Sequence, residues 1–155
     1  MNRTQKILLA IVAVIVIIQF IRPEKNISAE PGPNDIFAHH NAPDSLKQLI
    51  QTACYDCHSN NTKYPWYANI QPVAWWLSDH VKDGKKHLNF SEFATYTAKK
   101  AEKKLEEVGD EVKEGEMPLE SYTFIHKDAD LNDAQRKAIV QWSQGVREEI
   151  LAKGK

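Results

Sequence analysis

An apolar run near the N-terminus stands out first, because it shows neither a helical nor a strand period. The run extends from Ile7 to Ile21, contains Gln19 as its one polar residue, and is flanked by Lys6 and Arg22. As a helix it would measure about 22 Å, less than the ~30 Å hydrocarbon core of a bilayer. The two flanking cations can reach toward the interfaces and narrow that gap. The pattern predicts a single-pass membrane anchor over residues 1–22, with a cleaved signal peptide as the alternative.

The following stretch, residues 23–43, contains four prolines and few apolar residues. Prolines interrupt helices and favour extended backbone. We therefore predict an extended tether that joins the N-terminal run to a folded domain over residues 44–152. The adjacent histidines of the stretch, His39 and His40, fit a solvated linker better than a metal site.

The remaining pattern has the period of amphipathic helices, with apolar residues at three- and four-residue steps. It contains no alternating strand pair and no internal repeat, so we expect an all-α fold. The predicted helices are a short one over "PDSLKQLIQTAC", one from Pro72 to near Gly84, a long one capped by Asn89 or Ser91, and a last one that Asn132 and Gln135 open as a capping box.

The candidate core comes from the apolar faces of the two C-terminal helices. The long helix contributes Ala94, Ala98, Ala101, Leu105, Val108 and Val112. The last helix contributes Ile139, Trp142, Val146 and Ile150.

The charge of the chain argues against nucleic acid as a partner, and its motifs do not indicate an enzyme. All acidic residues follow Arg22, so residues 23–155 carry 17 basic and 21 acidic groups. A mildly acidic body without a basic stripe does not bind nucleic acid. The chain also lacks a phosphate-binding glycine loop, a serine nucleophile motif and an HExxH motif. These absences favour a binding or carrier protein over an enzyme.

The strongest chemical motif is Cys54-Tyr55-Asp56-Cys57-His58, which contains the two cysteines of the chain. The arrangement C-x-x-C-H is typical of c-type haem attachment. Two thiols at this spacing can each add to one vinyl group of a haem, and the imidazole of the next residue can ligate the iron. The motif predicts haem c bound through Cys54 and Cys57, with His58 as the proximal ligand.

Three other roles for the cysteine pair remain open at this point. A zinc site would need one more histidine, and its second and third ligands would be adjacent in sequence. A thioredoxin-like dithiol is normally surrounded by a βαβ unit, which the helical pattern does not predict. A structural disulfide across two intervening residues would be strained. Haem attachment is the favoured interpretation, because its chemistry requires the two thiols and the imidazole in this order.

The sixth iron ligand has three candidates. Met117 lies in a polar loop directly before a proline, where extended backbone is favoured, and its thioether suits a His/Met cytochrome. His126 and His80 are less favoured, and an open sixth position is the remaining possibility. An aromatic cluster also flanks the motif and could form a dry wall around a haem. Its members are Tyr64, Trp66, Tyr67, Trp75 and Trp76.

Several blocks of the sequence, in order, resemble the bacterial haem-binding-domain family. These blocks are "CYDCHSNNTKYPWYANIQPV", "LNFSEF", "EGEMPLESYTFIHKDADL" and "IVQW". The similarity extends from about Leu46 to Trp142, and it covers most of the part that follows the N-terminal run. Phe93 departs from the tryptophan expected at that position, which affects packing rather than ligation.

The resemblance implies a small haem-binding protein, often located behind one N-terminal membrane segment. It implies thioether bonds at Cys54 and Cys57 and proximal ligation by His58. Met117 and His126 fall in blocks shared with the family. The family does not indicate a partner.

Motif, fold class and resemblance together predict a membrane-anchored, monohaem c-type cytochrome-like domain that transfers single electrons. Haem is attached to such motifs outside the cytoplasmic membrane, so we expect residues 23–155 to face the periplasm. One alternative is a haem-based sensor with a labile sixth ligand, and another is an anchored thiol–disulfide oxidoreductase. We expect a redox protein as partner, which the sequence does not identify.

Overall fold

The computed structural model describes residues 1–28 and 31–153. This part of the chain forms α-helices joined by loops and 3₁₀ turns and contains no strand, so the all-α prediction is confirmed. Residues 29 and 30 of the predicted tether are outside this description. The helices are α1 (Arg3–Ile18), α2 (Ile36–His39), α3 (Asp44–His58), α4 (Val73–His87), α5 (Ala98–Glu114), α6 (Glu120–Thr123) and α7 (Asp133–Lys153).

Helix α1 forms from the N-terminal apolar run. Asn2 and Gln5 begin it with reciprocal side chain–backbone hydrogen bonds of 2.9 Å. The helix is 16 residues long. Within residues 1–28 and 31–153, no helix has both the length and the apolar character needed to cross a membrane. The structure therefore does not support the predicted transmembrane helix.

The stretch predicted as an extended tether packs against the folded domain instead. Ile36 is completely buried in the main core. The backbone N–H of Asn26 donates to the Tyr64 hydroxyl at 2.7 Å, and its side-chain amide donates to the Ser59 carbonyl oxygen at 2.8 Å. The stretch has too few apolar residues to show a period, and only contacts with later parts of the chain reveal its place in the fold.

The core includes the contact between α5 and α7, as the candidate core residues predict, and it also contains residues of α2, α3 and the chain before α5. Leu105 and Ile139 are each 1% exposed, whereas Ala94 and Ala98 lie on the surface. At Gly109 the two helices approach so closely that an added Cβ would be 3.2 Å from the Ser143 Oγ. Close helix packing therefore explains the glycine that interrupts the apolar face of α5.

The start of α5 differs from the prediction, whereas the start of α7 agrees with it. Thr97 caps α5, and Asn89 instead caps a 3₁₀ turn over Phe90–Thr95. Asn132 and Gln135 exchange hydrogen bonds of 2.9 Å, so the capping box of α7 is confirmed. Asn89 and Thr97 are both good caps, and the sequence does not distinguish a cap of a turn from a cap of a long helix.

The contrast between Ile36 and Ile27 tests whether residues 23–43 belong to the core. Ile36→Ala should lower the free energy of unfolding by about 2–5 kcal/mol, because it removes buried side-chain volume. Ile27, in the same stretch, is 64% exposed, so Ile27→Ala should change stability by less than about 0.5 kcal/mol. Urea unfolding of the two variants measures the difference, and equal small effects would support the tether.

Candidate functional site

The two cysteines and the histidine of the C-x-x-C-H motif line the same cavity. Cys54, Cys57 and His58 lie in the last turns of α3, three and four residues apart, so the helix presents them on one face. All three line a cavity of about 390 Å³. This volume is within the roughly 300–1,000 Å³ of small-molecule sites. The structure therefore brings together the residues that the sequence grouped only by spacing.

The ring of His58 is held in one orientation by the end of α4. Its Nδ1 lies 2.9 Å from the Gly84 carbonyl oxygen and 3.1 Å from the Leu88 carbonyl oxygen. Both partners are acceptors, so Nδ1 carries the proton and Nε2 keeps its lone pair. Burial also lowers the pKa of His58. The imidazole is therefore neutral, which is the form that binds a metal ion.

Gly84 supports His58 by allowing α3 and α4 to touch. A Cβ added at Gly84 would lie 2.6 Å from the Cys57 carbonyl oxygen, closer than two such atoms can approach. The sequence interpretation took this glycine as the end of a helix, but α4 continues to His87. A glycine inside the helix lets the motif backbone and α4 pack together without an intervening side chain.

The two cysteines are free thiols in an apolar environment. Burial raises the pKa of Cys54 to about 12 and that of Cys57 to about 11. Dithiol oxidoreductases use cysteines whose pKa is lowered, so these thiols have the opposite character. Within residues 1–28 and 31–153, no three His, Cys, Asp or Glu side chains are placed to hold a metal ion. The zinc interpretation therefore has no ligand set in the described chain.

The candidates for the sixth ligand separate into two groups. Met117 and His80 both line the cavity. His126 lies outside the cavity lining, with its ring stacked on Tyr122 at 4.3 Å and its Nε2 2.6 Å from the Tyr67 hydroxyl. The position of His126 in a block shared with the family therefore does not bring it to the cavity.

Met117 is fixed through its backbone to two helices. Its N–H donates to the Glu111 carbonyl oxygen at 3.2 Å, and its carbonyl oxygen accepts from the Arg136 guanidinium at 2.9 Å. The side chain packs against the buried core. His80 has its Nδ1 2.9 Å from the Trp76 carbonyl oxygen, so its Nε2 is also available for a ligand.

The rest of the lining is mostly apolar, but the predicted aromatic wall is absent from it. The aromatic side chains in the lining are Phe90 and Tyr122, and all five members of the predicted aromatic cluster lie outside it. Lys104 pairs with Glu107 at another part of the lining. The other apolar contributors are Ala53, Leu88, Val108, Val112, Pro118 and Leu119.

The sequence interpretation missed one polar connection at the motif. The Asp56 carboxylate accepts a hydrogen bond from the Tyr122 hydroxyl at 2.7 Å and another from the Lys63 N–H at 2.9 Å. The Asp56 carbonyl oxygen accepts from the Thr62 hydroxyl at 2.7 Å. Asp56 occupies a variable position of C-x-x-C-H, and Tyr122 is 66 residues away. No local pattern links them.

Comparison with protein-family models identifies a family that the chain resembles. The family model for the haem-binding domain matches residues 13–145. No curated protein and no solved structure matches the chain.

Replacing Gly84 tests the helix contact that holds His58. Gly84→Ala should lower the free energy of unfolding by about 1–3 kcal/mol, because its methyl group overlaps the Cys57 carbonyl oxygen. Gly145 in α7 is the matched control, since a Cβ there meets nothing within 4 Å. Gly145→Ala should raise stability by up to about 1 kcal/mol through helix propensity. Denaturant unfolding measures both, and a gain in both variants would contradict the close contact.

Proposed function

Because the chain belongs to the haem-binding-domain family, we propose that it is a monohaem c-type cytochrome that exchanges single electrons with a redox partner protein. One observation carries the proposal. Two free thiols and a neutral imidazole with an available Nε2 line a single cavity. An electron carrier needs no catalytic group besides its haem. The proposed function is therefore that of a binding protein rather than of an enzyme.

The cavity residues fit a covalently attached haem. Each thiol of Cys54 and Cys57 would add across one vinyl group of the haem, with the sulfur bonding to one carbon and the thiol hydrogen passing to the other. The addition consumes no oxidant or reductant. It requires reduced cysteines, and both cysteines are free thiols. The apolar lining suits the faces of a porphyrin and excludes water from them.

His58 and Met117 would hold the iron. The Gly84 and Leu88 carbonyl oxygens keep the imidazole in the tautomer that ligates through Nε2. Met117 is preferred to His80 because its side chain packs against the core, whereas the His80 ring lies at a tilt of 47° against the exposed Trp76 ring. A haem bound in this way supplies one-electron chemistry, and methionine ligation raises its reduction potential relative to a second histidine.

The proposed location is the periplasmic side of the cytoplasmic membrane, where haem is attached to such motifs. The large apolar side chains of α1 from Ile7 to Ile17 expose half or more of their surface, which supports attachment to the membrane through this helix. Recovery of the haem-loaded full chain in the soluble fraction after cell breakage would contradict the membrane attachment.

Covalent attachment is tested with the full chain expressed in a host that matures c-type cytochromes. The denatured wild-type protein should keep its pigment and give a pyridine haemochrome spectrum. Cys54→Ala combined with Cys57→Ala should release the pigment on denaturation, because no thioether remains. The haem of His58→Ala should lose its proximal ligand. The haem of the control, His87→Ala, should keep it, since His87 lines the cavity but is exposed and lies outside the motif.

A wild-type chain without pigment would refute the proposed function. A wild-type chain whose pigment washes out on denaturation would refute covalent attachment alone.

The sixth ligand is tested by comparing Met117→Ala with His80→Ala. Met117→Ala should abolish the far-red ferric absorption band of sulfur ligation and let the ferrous protein bind carbon monoxide rapidly. His80→Ala should change neither property, although both side chains line the cavity. A wild type that lacks the sulfur band, in which His80→Ala but not Met117→Ala accelerates carbon monoxide binding, would assign His80 as the ligand. Rapid carbon monoxide binding by the wild type would instead favour a sensor with an open sixth position.

A further inference from the structure

A hydrogen bond joins the haem-attachment motif to the segment that carries Met117. The Tyr122 hydroxyl donates to one carboxylate oxygen of Asp56 at 2.7 Å. The other carboxylate oxygen accepts from the Lys63 N–H at 2.9 Å. The Lys63 N–H therefore fixes the Asp56 carboxylate from the motif side, and Tyr122 binds its other oxygen. A donor bound to a carboxylate makes one of the stronger hydrogen bonds in proteins.

Tyr122 and Met117 are parts of one short segment. Tyr122 lies in α6, which begins two residues after Pro118. Met117, Pro118, Leu119 and Tyr122 all line the cavity. Movement of Tyr122 away from Asp56 would therefore move the same segment that presents the Met117 thioether.

The other contacts of this segment lead away from the motif. Met117 is bound through its backbone to Glu111 of α5 and Arg136 of α7. The Tyr122 ring stacks on His126 at 4.3 Å with an interplanar angle of 14°. The Asp56–Tyr122 bond thus links the Met117 segment directly to the residues between the two cysteines.

The Tyr122 hydroxyl keeps the proton that it donates in this hydrogen bond. Burial raises the pKa of Tyr122, and the hydrogen bond to Asp56 adds to the increase. The hydroxyl consequently remains protonated across the physiological range.

We propose that Asp56 and Tyr122 form a latch that keeps the Met117 segment closed on the cavity and so protects the sixth iron position from external ligands. The two residues are positioning residues, because neither is a ligand of the iron. The inference rests on the proposed function and in particular on Met117 as the sixth ligand.

The latch acts through a population of open states. With the Asp56–Tyr122 hydrogen bond intact, the segment is closed, and an external ligand has to displace the Met117 thioether from the iron. Without the bond, the closed state loses stability relative to open states, and the open fraction rises in proportion. Loss of a hydrogen bond to a charged group corresponds to a change of about ten- to hundredfold in such an equilibrium.

Tyr122→Phe is the direct test, because it removes the hydroxyl and keeps the ring that stacks on His126. In the haem-loaded full chain, carbon monoxide should bind the ferrous Tyr122→Phe protein about ten- to hundredfold faster than the wild type. The far-red ferric band of sulfur ligation should weaken in parallel. The amount of covalent haem should stay unchanged, since Cys54, Cys57 and His58 are retained.

Tyr67→Phe is the matched control for the loss of a tyrosine hydroxyl. The Tyr67 hydroxyl lies 2.6 Å from the His126 Nε2, in the same aromatic group but without a bond to Asp56. Its carbon monoxide rate should equal that of the wild type. Asp56→Asn is a second variant, which keeps an acceptor oxygen but removes the charge, and its rate should fall between those of wild type and Tyr122→Phe.

The outcomes separate the latch from the function on which it rests. A wild type without covalent haem, or without the sulfur band, would refute the proposed function or its Met117 ligand, and the latch with it. A wild type with both, in which Tyr122→Phe binds carbon monoxide no faster than Tyr67→Phe, would overturn the latch alone. Equal acceleration in the two variants would also overturn it, because general loosening would then be the cause.

Discussion

The contact between α3 and α4 at Gly84 is the constraint on which the site depends. Without a side chain at this position, the α4 backbone comes close enough for its carbonyl oxygens to reach the His58 Nδ1. That bond sets the tautomer of the imidazole and leaves Nε2 available for a metal ion. The same contact lies against the Cys57 backbone, so one packing contact positions both a thiol and the proposed proximal ligand.

Burial gives the cavity its chemical character. It lowers the pKa of His58 and raises the pKa of Cys54 and Cys57, so all three groups are neutral at physiological pH. Neutral thiols in an apolar cavity are poor reagents for disulfide exchange, which needs the thiolate. A neutral imidazole is a good iron ligand. Haem binding therefore agrees with the electrostatics of the cavity as well as with the family.

Polar contacts hold the stretch between α1 and α3 against the rest of the fold. Asn26 is bound by Tyr64 and Ser59, and its side-chain oxygen accepts from Lys85 at 2.6 Å. These polar contacts connect the stretch to the loop after the motif and to α4. They add to the burial of Ile36 and hold the stretch against the rest of the folded chain.

Local features could be predicted from the amino-acid sequence: the all-α class, the capping box of α7, the C-x-x-C-H motif and Met117 as a candidate ligand. Each depends on residues within a few positions of one another, where spacing alone fixes which side chains share a helix face. The burial of Ile36, the position of His126 outside the cavity and the contact of Tyr122 with Asp56 are visible in the folded chain alone. These relations join distant parts of the chain, and packing between elements determines them, so no local period or propensity records them.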